Sequence, residues 1–192
     1  MNPSDWSERY DAGNTRWDLG RSPQALLDFM AVQPPGRNIL IPGCGRGYEI
    51  ADLTALGHRV QAVDYSPGAI RAARETVGPL ADSILQADFF ACDLPLGSFD
   101  FCYERTFLCA LPAELRALYT ERISSLLKPE GFLIGVFLYG IPNGDNPPRP
   151  LAEGERQTVL EPHFSLISNI PCPSGLPVFS CWDERWQVWK KK

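Results

Sequence analysis

Between Asn38 and Leu138, short apolar runs alternate with segments of helical period, and no other feature restricts the fold as much. The runs predict strands at Asn38–Pro42, Arg59–Asp64, Ser83–Ala87, Phe99–Tyr103 and Phe132–Leu138. Between them, helices are predicted over Gly47–Leu56, Pro67–Val77 and Ala113–Leu127. In the last of these, Leu115, Leu118, Tyr119, Ile123, Leu126 and Leu127 repeat close to every 3.6 residues. Strands separated by helices form parallel βαβ units in an open three-layer sheet. Local punctuation agrees. Ser66-Pro67 pairs an N-cap with a proline at the first helical position, and Ser22-Pro23 does the same for a helix over Gln24–Val32. Lys128-Pro129-Glu130-Gly131 reads as a helix stop and turn.

The tail reads differently. Eight prolines fall between Ile141 and Pro177, and an aromatic-rich run, Phe179–Trp189, follows. Too few strand-like residues remain for a second domain. The expectation is therefore one domain over residues 1–192: N-terminal cap helices over 1–36, a ligand-binding core over 37–138, and over 139–192 a structured loop followed by antiparallel strands.

Composition limits the partners. Of 192 residues, 23 are acidic and 18 basic, so the net charge of −5 gives no broad basic face for nucleic acid or an anionic membrane. No run is long and apolar enough for a membrane span, and the polar start, MNPSDWSERYDAG, is not expected to act as a secretory signal. The six cysteines form no CxxC pair, and with only two histidines no metal site is expected. Four of them sit in or beside apolar runs, which suits reduced core thiols and a cytoplasmic setting. A monomer is the simplest expectation.

The sharpest motif joins the first strand to its helix: Ile41-Pro-Gly43-Cys44-Gly45-Arg-Gly47-Tyr48. Glycines let a ligand lie against bare backbone, and the helix N-terminus aims amide hydrogens into the same space. The spacing is G-x-G-x-G, and Tyr48 stands where a dinucleotide fold needs a third small residue, which disfavours a pyrophosphate. Asp64 closes the second strand about 20 residues on, where a carboxylate can accept both hydroxyls of a ribose. Taken alone, it reads as a helix-capping acid. Asp88-Phe89 follows the third strand and suits an adenine; it also suits a solvated acid beside a core aromatic. Glu104-Arg105 ends the fourth strand. These two are either surface charges, a mutual pair, or part of a site.

Together these residues resemble the class I S-adenosylmethionine-dependent methyltransferases. More narrowly, Pro-Gly43-Cys44-Gly45 and the opening Trp6…Trp17-Asp18-Leu-Gly20-Arg21 resemble the thiopurine, thiol and halide/thiocyanate methyltransferase branch. The similarity runs from about Trp6 to Pro162. It implies a Rossmann-like, seven-stranded, mostly parallel sheet with helices on both faces. It implies S-adenosyl-L-methionine as cofactor, with Trp6, Trp17, Gly43, Cys44, Gly45, Asp64, Tyr65, Ser66, Asp88, Phe89 and Tyr103 as the binding set. The turn at Gly43 would take the methionine part, Asp64 the ribose and Asp88-Phe89 the adenine. Trp17 would cap the sulfonium, since an aromatic face suits a cation. Arg105 matches an arginine beside the methyl acceptor, and Arg149 replaces a lid aromatic in the loop Asn143–Pro150, so both are candidates for steering an anion. The implied reaction is methyl transfer to a thiol sulfur or a soft anion. Transfer to oxygen or nitrogen, a non-catalytic nucleotide-binding module and a nicotinamide oxidoreductase are the rival readings.

Overall fold

A computed structural model describes residues 1–144, 146–152 and 154–192. Its seven strands form one sheet in the order β3-β2-β1-β4-β5-β7-β6. The strands are β1 (Asn38–Pro42), β2 (Arg59–Asp64), β3 (Ile84–Gln86), β4 (Phe99–Arg105), β5 (Leu127–Tyr139), β6 (Phe164–Pro171) and β7 (Asp183–Lys191). The α-helices are α1 (Pro3–Asp11), α2 (Gln24–Ala31), α3 (Tyr48–Ala55), α4 (Pro67–Val77), α5 (Ala113–Leu126) and α6 (Glu155–Val159). The chain divides into two compact units, Met1–Asp93 and Leu94–Lys192.

In the first unit, β1–β2 and β2–β3 pair in parallel, with Pro42 opposite Val63 and Asp64 opposite Gln86. Apolar residues of β1 and β2 (Ile39, Leu40, Ala62, Val63) share the core with Leu53 of α3 and Ile70 and Ala73 of α4. Helix α1 starts on a capping box: the Asn2 side chain accepts the Asp5 N–H at 3.0 Å, and the Asp5 carboxylate accepts the Asn2 N–H at 2.7 Å. Pro3 fills the first helical position, where no N–H is needed. This helix lies against the start of α4. A side chain at Gly68 would meet the Ser7 Cα at 2.8 Å, so glycine is what lets the two backbones approach. Ser7 then bridges them, accepting the Gly68 N–H at 3.1 Å and lying 3.1 Å from the Ser66 hydroxyl, itself the N-cap of α4.

In the second unit, β4 and β5 are parallel, while β7 runs antiparallel to both β5 and β6. Two expectations change here. Strand β5 begins at Leu127, and Lys128-Pro129-Glu130-Gly131 lies inside it. Glu130 has φ +65°, and the register with β4 jumps from Phe99↔Leu127 to Phe101↔Phe132, so this segment is a bulge and does not end the strand. The proline-rich stretch also contains a strand: β6, at the sheet edge, with Pro171 at its last position, where a missing N–H costs little.

Candidate functional site

Three glycines turn the end of β1 into α3. Gly43, Gly45 and Gly47 have φ of 62°, 55° and 70°, a region that side chains rarely enter. They serve different ends. A Cβ on Gly47 would meet Ile50 at 2.8 Å and Ala73 and Val77 beyond it, so this glycine lets α3 pack closely. Gly45 is partly exposed, and its Cβ position lies 2.7 Å from the Tyr10 hydroxyl of α1.

Asp64 ties the turn to the end of β2. One carboxylate oxygen accepts the Gly45 N–H at 3.0 Å and the other the Ser66 N–H at 2.9 Å. The cap of α4 is Ser66, whose hydroxyl accepts the Ala69 N–H, so Asp64 is not the capping acid. Each Asp64 oxygen takes one of these backbone bonds and has a second lone pair. Burial raises its carboxyl from 3.8 to about 6, against the backbone N–H bonds that hold it down. Cys44 is buried beside it, and burial together with the Asp64 charge keeps its thiol protonated.

Above the turn, α1 and the Trp17 loop supply aromatics. Trp6 and Trp17 meet edge to face at 5.3 Å, and Tyr10 meets Trp17 at 6.0 Å. Trp17 donates a hydrogen bond to the Tyr10 hydroxyl, which burial and Asp64 keep protonated. The Arg9 guanidinium lies 5.5 Å from the Trp6 ring centre and 5.9 Å from that of Trp17. Asp18 fastens the loop to the glycine turn through Arg46 at 2.8 Å and Tyr48 at 3.3 Å. Tyr65 is half-buried and donates from its hydroxyl to the Met1 carbonyl. At the end of β3, Asp88 is exposed and accepts the Phe90 N–H at 2.9 Å. Phe89 is buried, edge-on to Phe90 at 5.5 Å.

Of the expected cofactor residues, Trp6, Trp17, Gly43, Cys44, Gly45, Asp64, Tyr65, Ser66, Asp88 and Phe89 lie in the first unit. Hydrogen bonds join Gly45, Asp64 and Ser66, and ring contact joins Trp6 and Trp17. Ser7, Arg9, Tyr10, Asp18 and Arg46 were not among the expected site residues. A legible signal existed for α1: Asn2-Pro3-x-Asp5 is a capping box, and Trp6 and Tyr10 are spaced i, i+4.

Tyr103, Arg105 and Arg149 belong to the second unit. Tyr103 is buried in β4. Arg105 lines a small cavity with Glu104, Thr106, Leu108, Cys109, Val136, Phe137, Leu138, Leu151, Phe179 and Glu184. The lining is largely apolar, and Arg105 is its cation. Glu104 is 1% exposed, and burial raises its carboxyl from 4.5 to about 7 even though it accepts a Tyr119 hydroxyl bond and two backbone N–H bonds. Arg149 donates to the Ala110 carbonyl at 2.9 Å, and its own N–H bonds the Cys109 carbonyl at 2.7 Å. The expected lid at Asn143–Pro150 is therefore docked on the turn after β4. Its residue 145 lies outside the described residues.

Among proteins of known kind, the thiopurine S-methyltransferase (TPMT) family matches residues 1–171. A probable thiol methyltransferase 2 of Arabidopsis thaliana is 30% identical over 171 residues, covering 86% of this chain and 75% of its own. A thiocyanate methyltransferase 1 of Brassica oleracea is 32% identical, covering 85% and 74%. A solved Burkholderia thailandensis 1,6-didemethyltoxoflavin-N1-methyltransferase, 22% identical, superposes with a TM-score of 0.75 over 99% of this chain and 87% of its own, which places the fold. The architecture is thus the class I methyltransferase fold. The chain belongs to the thiopurine S-methyltransferase family, and with it to the S-adenosylmethionine-dependent methyltransferases.

Proposed function

We propose that this protein transfers the methyl group of S-adenosylmethionine to the sulfur of a small thiol or to a soft anion such as thiocyanate or a halide. The residues of the first unit fit such a cofactor. The Trp6 and Trp17 rings already hold a cation, the Arg9 guanidinium, and so offer faces suited to a sulfonium. Asp64 suits the ribose hydroxyls, the bare backbone from Gly43 to Gly45 the amino-acid end, and Asp88 the adenine. Tyr65 and Ser66 would wall the ribose, with Phe89 as packing. When bound, the cofactor supplies an already activated methyl group and a neutral leaving group. The chain then has to align and desolvate a nucleophile.

One observation carries the choice of nucleophile: among the described residues the cavity beside Arg105 is largely apolar, has a guanidinium and no histidine in its lining, and its two carboxylates, Glu104 and Glu184, are already taken up by N–H and hydroxyl groups of the chain. A thiolate, thiocyanate or halide needs no proton removed, whereas a neutral oxygen would need a base. The thiol and thiocyanate methyltransferases among the relatives favour the same class. The test is a panel of thiols, thiocyanate, iodide, phenols and amines incubated with enzyme and S-adenosylmethionine, with methylated products read by mass spectrometry. Products from the sulfur and soft-anion members are expected. Methylation of the phenols or amines alone would overturn the reading.

A further inference from the structure

We propose that Glu104 is the positioning residue of the methyl-acceptor site, holding the turn that presents Arg105 and seats Arg149. The inference rests on the reading of Arg105 given above. One Glu104 oxygen accepts the N–H of Phe107 at 3.0 Å and that of Leu108 at 2.9 Å, and the other accepts the Tyr119 hydroxyl of α5 at 2.6 Å. Between Arg105 and Phe107 stands Thr106 with φ +63°. A β-branched residue rarely adopts that conformation, and it persists where surrounding bonds impose it. The Glu104 carboxylate closes the backbone on the far side of Thr106.

The same turn makes much of the cavity, since Glu104, Arg105, Thr106, Leu108 and Cys109 all line it. Its next two carbonyls hold the proline loop, Cys109 through the Arg149 N–H and Ala110 through the Arg149 guanidinium. Arg116 of α5 locks that loop from behind, bonding the Arg149 carbonyl at 2.6 Å and Glu155 of α6 at 2.5 Å. A chain of direct bonds thus runs from Glu104 to the turn, and from the turn to the loop. A buried carboxylate carries a desolvation cost that an apolar side chain would not, and here all of that cost is set against the three bonds its oxygens accept. The Glu104 carboxylate spends its bonds on the turn and on Tyr119, so it acts through the backbone that follows Arg105.

The test compares Glu104→Ala, Glu104→Gln and Tyr119→Phe, reading KM for thiocyanate, cofactor Kd by calorimetry and amide exchange at Phe107 and Leu108. In Glu104→Ala, KM rises about 10- to 100-fold, because a displaced positioning group loses alignment. Cofactor Kd stays within about twofold, and the two amides exchange faster. Glu104→Gln retains an oxygen for the two N–H groups and recovers most of the loss. If Glu104→Ala does not fold, Tyr119→Phe decides: it releases one carboxylate oxygen and is expected to raise KM about threefold. Wild-type KM and exchange in Glu104→Ala, or in Tyr119→Phe where only that variant folds, overturn the inference. So do equal losses of cofactor and methyl-acceptor affinity. A wild-type KM in Arg105→Ala beside a raised KM in Glu104→Ala would instead remove the Arg105 reading and leave the hold on the turn standing.

Discussion

Two buried acids stand at strand ends, one in each unit, and they do opposite things with similar chemistry. Asp64 ends β2 and Glu104 stands next to last in β4. Each accepts backbone N–H groups from turns at the strand ends, and burial raises each carboxyl, to about 6 and about 7. Asp64 spreads its bonds over two oxygens and two separate turns, and it is partly exposed. Glu104 spends one oxygen on both N–H groups, gives the other to Tyr119 and is sealed. The contrast separates a partly exposed acid with acceptor capacity to spare from a sealed one whose oxygens are all engaged by its neighbours. Both are carboxylates near a strand end; the number of lone pairs left over and their access to solvent differ.

The largest break is expected at Gly45, the bare position beside Asp64. Gly45→Val puts a branched side chain at φ +55° and against the Tyr10 hydroxyl, so calorimetry should detect no S-adenosylmethionine binding while circular dichroism reports a folded chain. Normal binding would remove the glycine turn from the cofactor site.

A smaller effect sharpens the comparison through pH. Both acids have folded-state pKa values above their unfolded ones, 3.8 to about 6 and 4.5 to about 7. Between those values the folded chain binds more protons than the unfolded chain. Their contribution is therefore full below about pH 4 and is lost as pH rises through 7. Glu104 alone accounts for about 3 kcal/mol of that loss. Denaturant midpoints of wild type and Glu104→Gln should run parallel below about pH 4 and separate as pH rises from there to 7, the variant being the flatter. Parallel profiles would contradict the burial of this charge.

The smallest effect is expected at Arg149. Its guanidinium already bonds the Ala110 carbonyl, so Arg149→Ala should lower kcat/KM for thiocyanate only about two- to fivefold, by loosening the proline loop. A loss as large as that in Arg105→Ala would make Arg149 a direct anion contact.

Much of this was legible in the sequence, for identifiable reasons. β1, β2 and α4 lie where the apolar runs and the Ser66-Pro67 cap predict them, because both signals are local. The glycine turn and Asp64 were legible too, since they need particular residue types at a fixed spacing. The bulge in β5 was not: Lys-Pro-Glu-Gly has turn chemistry, and only pairing with β4 keeps it in a strand. β6 was masked by proline count, although an edge strand tolerates proline. Helix α1 was legible only as one of the cap helices expected over 1–36; its bounds and its docking were not. It buries no residue fully, and its place depends on Gly68, an approach that no one-dimensional pattern reports. The second role of Glu104, holding the turn that follows Arg105, depends on Tyr119, fifteen residues away, and on two amides whose direction only the folded turn sets.

The division of labour between the two acids' surroundings is tested most directly by one crossed measurement: cofactor Kd by calorimetry and kcat/KM for thiocyanate at saturating cofactor, in Asp64→Asn and Arg105→Ala. Asp64→Asn keeps the shape, removes the charge and should weaken S-adenosylmethionine by ~1–3 kcal/mol, with little change in kcat/KM for thiocyanate. Arg105→Ala should lower kcat/KM for thiocyanate by ~10- to 100-fold, about 1.4–2.7 kcal/mol, with cofactor Kd unchanged. If each variant moves both quantities together, or if neither moves its own, the assignment of cofactor to the Asp64 side and methyl acceptor to the Arg105 side is wrong.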